Sequence, residues 1–224
     1  MPRPPAAGGR RGPEAVLRRD FDTLGAIRRH ELRVKGSRFI ATAAPVASAG
    51  EAGQRIEALR LGHADATHLC WAYRIAAEQR DIERFHDAGE PSGTAGAPIL
   101  QALRAAGLLN VVAVVARHFG GTKLGKGGLA RAYRDAVRGA LDAAPRARHV
   151  RRASLKLAGP VDQDGEVRHL VARLGGRVAR AGYPDGAGAV LEIEVPAARV
   201  DELARAVRDL TRGAWRVARD GRQD

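Results

Sequence analysis

The sequence predicts an α+β protein built as two domains, on three observations. In residues 110–116, "NVVAVVA", everything after Asn110 is apolar, as expected of a central strand covered on both faces. Residues 67–75, "THLCWAYRI", alternate strictly: Thr67, Leu69, Trp71, Tyr73 and Ile75 on one face, His68, Cys70, Ala72 and Arg74 on the other. From about residue 152 the pattern changes to a compact β-α-β-β-α-β run, the ferredoxin-like arrangement.

The elements follow in order. "IRRHELRVKGSRFIATAAPV" reads as one or two strands around a turn at Lys35-Gly36. "SAGEAGQRIEALRLG" reads as a short helix with Ile56 and Leu59 inward, stopped near Gly62. "IERFHD" is the partner strand of residues 67–75. "DAGEPSGTAG" is a turn-rich loop feeding the helix "PILQALRAA", with Pro98 in its first turn and Gly107 past its end. After Gly128 a helix carries Leu129, Tyr133, Val137 and Leu141 at four-residue spacing as its buried stripe. Arg131, Arg134 and Arg138 fall on the opposite side. "APRARHVRR" breaks the pattern and reads as an interdomain connection.

In the second domain "ASLKLA", "RVARAGY", "AVLEIEVP" and "AWRVAR" are strands. One helix places Val167, Leu170, Val171 and Leu174 inward; the other places Val200, Leu203, Val207 and Leu210 inward. The expected organisation is a disordered basic tail over residues 1–25, a first domain over 26–148 and a second over 152–224.

Composition narrows the function. Net charge is +13, and residues 117–152 alone carry ten basic residues against Asp135 and Asp142. A concentrated basic block suggests a polyanionic partner, most often nucleic acid. Only four of the 38 basic residues are Lys, so a general arginine bias also raises the charge. No apolar run reaches 18 residues, and the first dozen residues lack the apolar stretch of a signal peptide. A single cysteine, Cys70, fits the reducing cytoplasm, where the chain is expected to reside.

Three segments carry candidate chemistry. From Gly120 the chain nearly spells a phosphate loop: Gly120, four residues, Gly125, Lys126. Gly127 then stands where a Ser or Thr hydroxyl would hold magnesium, so no nucleotide cofactor is expected. A glycine-rich turn admitting a nucleic-acid backbone, or a purely structural turn, is the better reading. In "DAGEPSGTAG" the carboxylates Asp87 and Glu90 with Ser92 have the residue types of an acid, base and nucleophile. No G-x-S-x-G elbow is present, and capping by Ser92 or Thr94 is favoured. "HADATHLC" brings His63, Asp65, His68 and Cys70 close. Zinc needs three or four ligands at compatible spacing, so no metal is expected, and Cys70 has no identifiable activating base.

"KGSRFIA", "THLCWAYR", "DAGEPSGTAGAPIL" and "NVVAVVARHFGGTKLGKGGLARAY" together resemble the IMPACT family, in its bacterial YigZ-type form, over residues 27–142. The resemblance implies a first domain similar to the second domain of ribosomal protein S5 and to domain IV of elongation factor G. It implies a second, ferredoxin-like domain similar to domain V of that factor. Both comparisons point toward RNA and the translation apparatus. Two positions depart from the family's pattern: Ala88 stands where a second aspartate is usual, and His118 where a tyrosine is usual. The motif positions carried over are Lys35, Ser37, Arg38, His68, Arg74, Glu90, Ser92, Thr94, Arg117, Lys123, Arg131 and Tyr133.

The leading expectation is an RNA- or ribosome-associated binding protein with a role in translation regulation, without catalysis, cofactor or membrane. Its surface would comprise the loop Gly120, Gly121, Lys123, Gly125, Lys126, Gly127 and Gly128 with Lys35, Arg38, Arg74, Arg117, Arg131, Arg134 and Arg138. Phe119 or His118 would stack on a base. A small hydrolase or phosphate-handling enzyme using Glu90, Ser92, Thr94 and Lys123 stays open, as does a protein-binding adaptor. The enzyme requires a concave pocket holding Glu90 with Lys123; the RNA binder requires the arginines exposed in a stripe.

Overall fold

A computed structural model describes residues 19–77, 79–184 and 188–219. It divides the chain into two compact units, residues 1–149 and 150–224. The first eighteen residues of the expected tail lie outside the described residues.

In the first unit, β1 (Phe21–Leu24) pairs antiparallel with β7 (Arg146–His149). Five further strands form one sheet: β2 (Arg28–Val34), β3 (Ser37–Pro45), β4 (His68–Ile75), β5 (Ile82–His86) and β6 (Val111–His118). Their order is β2-β3-β6-β4-β5, and every pairing is antiparallel. The apolar β6 is the middle strand, and Val111–Arg117 are all buried. Helix α1 (Ala49–Gly62) covers one face, where Ile56 packs with Ile40, Val112 and Val114. Helices α2 (Gly96–Ala105) and α3 (Gly125–Asp142) cover the other. There Ile99, Leu103, Tyr133 and Val137 pack on Phe39, Ala41, Cys70 and Val115.

The second unit runs β8 (Arg152–Pro160), α4 (Asp164–Arg173), β9 (Arg177–Gly182), β10 (Gly188–Pro196), α5 (Val200–Thr211) and β11 (Arg216–Arg219). Its four strands are antiparallel in the order β11-β8-β10-β9. Val167, Leu170, Val171, Leu203 and Val207 form its core with Leu155, Leu191 and Ile193. Trp215 lies flat against Gly159, where a Cβ would meet the indole at 2.3 Å.

Four expectations are corrected. The tail cannot extend to residue 25, because Phe21 and Leu24 are 7% and 2% exposed in β1. "APRARHVRR" is not only a connection: its first half is the partner strand of β1. Helix α3 begins at Gly125, so Lys126, Gly127 and Gly128 belong to its first turn. Leu210 is 42% exposed; the inward row of α5 is Leu203, Val207 and Thr211, spaced by four, with the Thr211 hydroxyl bonded to the Val207 carbonyl.

Candidate functional site

At one end of the five-stranded sheet three loops converge over a buried polar cluster. The first is the two-residue hairpin turn between β2 and β3. Lys35 and Gly36 both take positive φ, 45° and 80°, as a tight turn matching strand twist requires. The second runs from Asp87 to Ala95, between β5 and α2. The third runs from Phe119 to Leu124, between β6 and α3.

Glu90 is the centre of the cluster, its side chain only 3% exposed. Its Oε1 accepts from Arg117 Nη1 at 2.6 Å and from the Tyr133 hydroxyl at 2.7 Å. Arg117 stands on the α2/α3 face of β6, in register with Phe39 of β3 and His68 of β4. Its guanidinium carbon lies 5.4 Å from the Phe39 ring centre and 5.5 Å from that of Phe119. Cys70 Sγ lies 3.0 Å from the Asp87 carbonyl and 3.4 Å from the Tyr133 hydroxyl. The His68 ring lies 2.9 Å from the Ala88 carbonyl oxygen and 4.0 Å from Glu90 Oε1. Burial pushes the Cys70 thiol up to about 12 and raises Tyr133 far above the usual phenol range. At neutral pH both groups are protonated hydrogen-bond donors.

The cluster fixes the loops above it. Ser37 Oγ accepts from the Gly120 amide at 3.2 Å and lies 3.4 Å from Arg117 Nη2. Thr67 Oγ1 accepts from the Phe119 amide at 3.1 Å. Gly120 runs so close to Gly36 that a Cβ would sit 2.0 Å from the Gly36 carbonyl carbon. The glycine is needed there for backbone-to-backbone approach.

The Asp87–Ala95 loop is organised by Asp87. One carboxylate oxygen accepts from the Ala95 and Gly96 amides at 3.0 and 2.8 Å, the other from the Gly93 amide at 2.9 Å. Asp87 is therefore the cap of α2, in place of the expected Ser92 or Thr94. Thr94 instead donates to the Pro91 carbonyl at 2.6 Å, and Ser92 is exposed. A short side chain nine residues before the helix meets its first amides only because Ala88, Gly89 and Gly93 reverse the loop at positive φ.

The outer surface is basic. Phe119 is 47% exposed, and Lys35, Gly120, Gly121, Lys123, Gly125, Lys126 and Gly127 are exposed, Gly128 partly so. The N-terminus of α3 has no side-chain hydrogen-bond cap. Arg131, Arg134 and Arg138 are all exposed along α3. Arg134 lies 3.6 Å from Asp135, whereas Arg131 and Arg138 make no ion pair among the described residues.

Several expected contact residues are elsewhere. Arg117 is 4% exposed and holds Glu90, so it cannot reach a ligand phosphate. Arg74 bonds the Glu83 carboxylate and the Leu108 carbonyl, both at 2.8 Å, tying β4 to β5 and to the end of α2. Arg38 and His118 are cross-strand partners on the α1 face, opposite Arg117. His118 is turned toward Asp65, leaving Phe119 as the aromatic of the loop surface. The Ser37–Gly120 contact joins residues 83 apart and leaves no local pattern in the sequence.

Two surface cavities lie away from the groups of the enzyme reading. A cavity of about 430 Å³ is lined by Arg19, Phe21, Arg74, Asp81, Arg104 and Arg148, among others. One of about 210 Å³ is lined by residues of β9 and β10. Neither contains Glu90, Ser92, Thr94 or Lys123. The phosphate-loop likeness also ends at the strand: β6 is flanked by β3 and β4, both antiparallel to it. No helix among the described residues is long and apolar enough to cross a membrane.

Comparison with known proteins agrees with the sequence motifs. Residues 35–141 match the Impact N-terminal domain. An IMPACT family member of Thermus thermophilus is 39% identical over 180 residues, covering 80% of this chain and 96% of that protein. The IMPACT family member YigZ of Escherichia coli K12 is 34% identical over 186 residues, 82% of this chain and 90% of its own length. Among solved structures, the crystal structure of a hypothetical protein superimposes with a TM-score of 0.63 at 30% identity, covering 92% of this chain and all of that one. The long shared spans and the matched domain agree, and the chain belongs to the IMPACT family.

Proposed function

We propose that this chain is an RNA-binding protein of the translation apparatus, with no catalytic step. The observation that carries the reading is the distribution of charge at the loop end of the sheet. Glu90, the acid of the cluster, is buried and neutralised by Arg117, while Lys35, Lys123, Lys126 and Arg131 stay at the surface, and Arg134 and Arg138 continue the exposed basic row along α3. An uncapped helix N-terminus and an exposed phenylalanine complete a phosphate- and base-binding surface. Gly121 and Gly127, with open space at their Cβ positions, carry no side chain to keep a ligand backbone away.

The translation context rests on the fold comparison implied by the family resemblance. We read the first unit as similar to the second domain of ribosomal protein S5. We read the second as ferredoxin-like, which its β11-β8-β10-β9 order supports. A cytoplasmic location goes with that reading. The hydrolase alternative is weaker because Glu90 already accepts from Arg117 and Tyr133, and Cys70 is held as a thiol.

The test is RNA affinity measured over a salt series. Binding that weakens linearly in log–log form as salt rises, and that depends on Arg131, Arg134 and Arg138, is expected. Absence of RNA binding at low salt would eliminate the reading.

A further inference from the structure

The α1 face of the sheet end carries a second constellation, separate from the loop surface. His63 closes α1 as its C-cap, and its backbone amide bonds the Arg60 carbonyl at 3.3 Å. The next turn is stitched down twice: the Ala66 amide donates to the His63 carbonyl at 3.0 Å, and the Thr67 amide to the Arg117 carbonyl at 2.8 Å. That second bond sets the turn beside the end of β6, where His118 projects toward it. The ligand atoms of His63, Asp65 and His118 all lie within 4.8 Å of one another. His118 Nδ1 is 3.7 Å from Asp65 Oδ2, and His118 Nε2 is buried without a hydrogen-bond partner among the described residues. A buried ring nitrogen left unpaired is uncommon in a settled core.

We propose that His63, Asp65 and His118 form a binding site for a first-row divalent transition-metal ion, with zinc the best match. Two imidazole nitrogens and one carboxylate oxygen suit zinc, nickel, cobalt or copper and do not suit magnesium or calcium. Three protein ligands leave a coordination position for water or for an outside group. The local charge is mixed. Asp65 supplies one negative charge, and its side chain is 78% exposed, free to turn inward. Arg29 and Arg38 stand near His63 and oppose a cation. The expected site is one of moderate affinity, not one on which folding depends.

His63 and Asp65 stand in "HADATHLC", the segment in which no metal was expected. It offered His68 and Cys70 as the remaining candidates, but these project from the opposite face of β4, into the Glu90 cluster. The third ligand, His118, is 53 residues beyond Asp65 and arrives only when β6 pairs beside β4.

The experiment uses the untagged full chain. Zinc chloride is titrated calorimetrically, and cobalt is titrated with visible absorption as the reporter of His ligation. One zinc per chain is expected, with a cobalt band that zinc abolishes. His63→Ala, Asp65→Ala and His118→Ala should each weaken zinc at least about tenfold, since even outer-shell changes cost that much. Asp65→Ala is at an exposed position and serves as the variant that keeps its fold. His169→Ala, on an exposed histidine of the second unit, should leave zinc affinity unchanged. Arg38→Gln should strengthen zinc binding severalfold by removing an opposing charge. Zinc heat that persists in Asp65→Ala and His118→Ala, or no zinc binding at all, would overturn the site. Weaker zinc binding in Arg38→Gln, with wild type taking inorganic phosphate instead, would reassign the cluster to an anion.

Discussion

Arg117 and Glu90 form an ion pair at 2.6 Å with side chains 5% and 3% exposed, joining the end of β6 to the loop before α2. Glu90 also accepts from Tyr133 of α3, so one carboxylate ties together sheet, loop and helix. Removing one member leaves the other charge buried and unmatched. Glu90→Ala is expected to lower unfolding free energy by about 3–5 kcal/mol. Arg117→Met in the same chain should restore part of that loss. Urea denaturation of the single and double variants measures it; a loss under about 1 kcal/mol would show that the pair does not hold the loops.

Gly120 and Gly127 separate close approach from flexibility. Gly120→Ala would drive a Cβ into the Gly36 backbone at 2.0 Å, so the loop must move. A cost of at least about 2 kcal/mol is expected, in the range of overpacking. Gly127 lies in the first turns of α3 with nothing within 4 Å of its Cβ position. Gly127→Ala should instead stabilise by about 0.5–1 kcal/mol. Thermal melts of the two variants should shift in opposite directions, and a common sign would refute the packing assigned to one of them.

Ala88 holds φ 47°, a region that L-residues without a short polar side chain avoid. This is the position where the family usually has aspartate. Ala88→Asn is expected to raise stability by about 1 kcal/mol. A chemical-denaturation midpoint that does not rise would show that the loop relaxes away from this conformation.

Cys70 sets an alkaline limit. Its thiol is raised from the ordinary value near 9 to about 12, chiefly by burial. The folded state therefore keeps a proton that the unfolded chain loses. The stability this confers is complete below pH 9 and declines from pH 9 toward pH 12, at up to ~1.4 kcal/mol per unit. Cys70→Ala should flatten that decline relative to wild type. Equal pH slopes between pH 9 and pH 11 would argue against a buried neutral thiol.

The strands and helices were legible wherever one period dominated. "THLCWAYRI" put Cys70 and Ala72 into one core and Leu69 and Ile75 into the other, and "NVVAVVA" became the middle strand. Leu210 misled because a spacing of three from Val207 competes with a spacing of four, and the helix set Thr211 inward. The β1–β7 pair was missed because each strand is only four residues long, β1 with two apolar residues and β7 Arg-rich with almost no apolar signal. At the site the motif residues were visible, but their roles were not. Arg117 belonged to the basic block by sequence and to the core by structure, because its charge partner lies 27 residues away. Asp87 looked like half of an acid pair and is a helix cap. Long-range partners of this kind leave no local pattern.

The most direct measurement is the salt dependence of single-stranded RNA affinity for wild type and for the triple variant Arg131→Gln, Arg134→Gln, Arg138→Gln. All three side chains are exposed, so the melting temperature should stay near the wild-type value. Each phosphate contact contributes a slope of about 0.7, so the variant should bind more weakly and lose roughly two units if all three arginines engage. A folded variant with wild-type slope and affinity would contradict binding through α3, and a wild type that binds no RNA at low salt would contradict the proposed function itself.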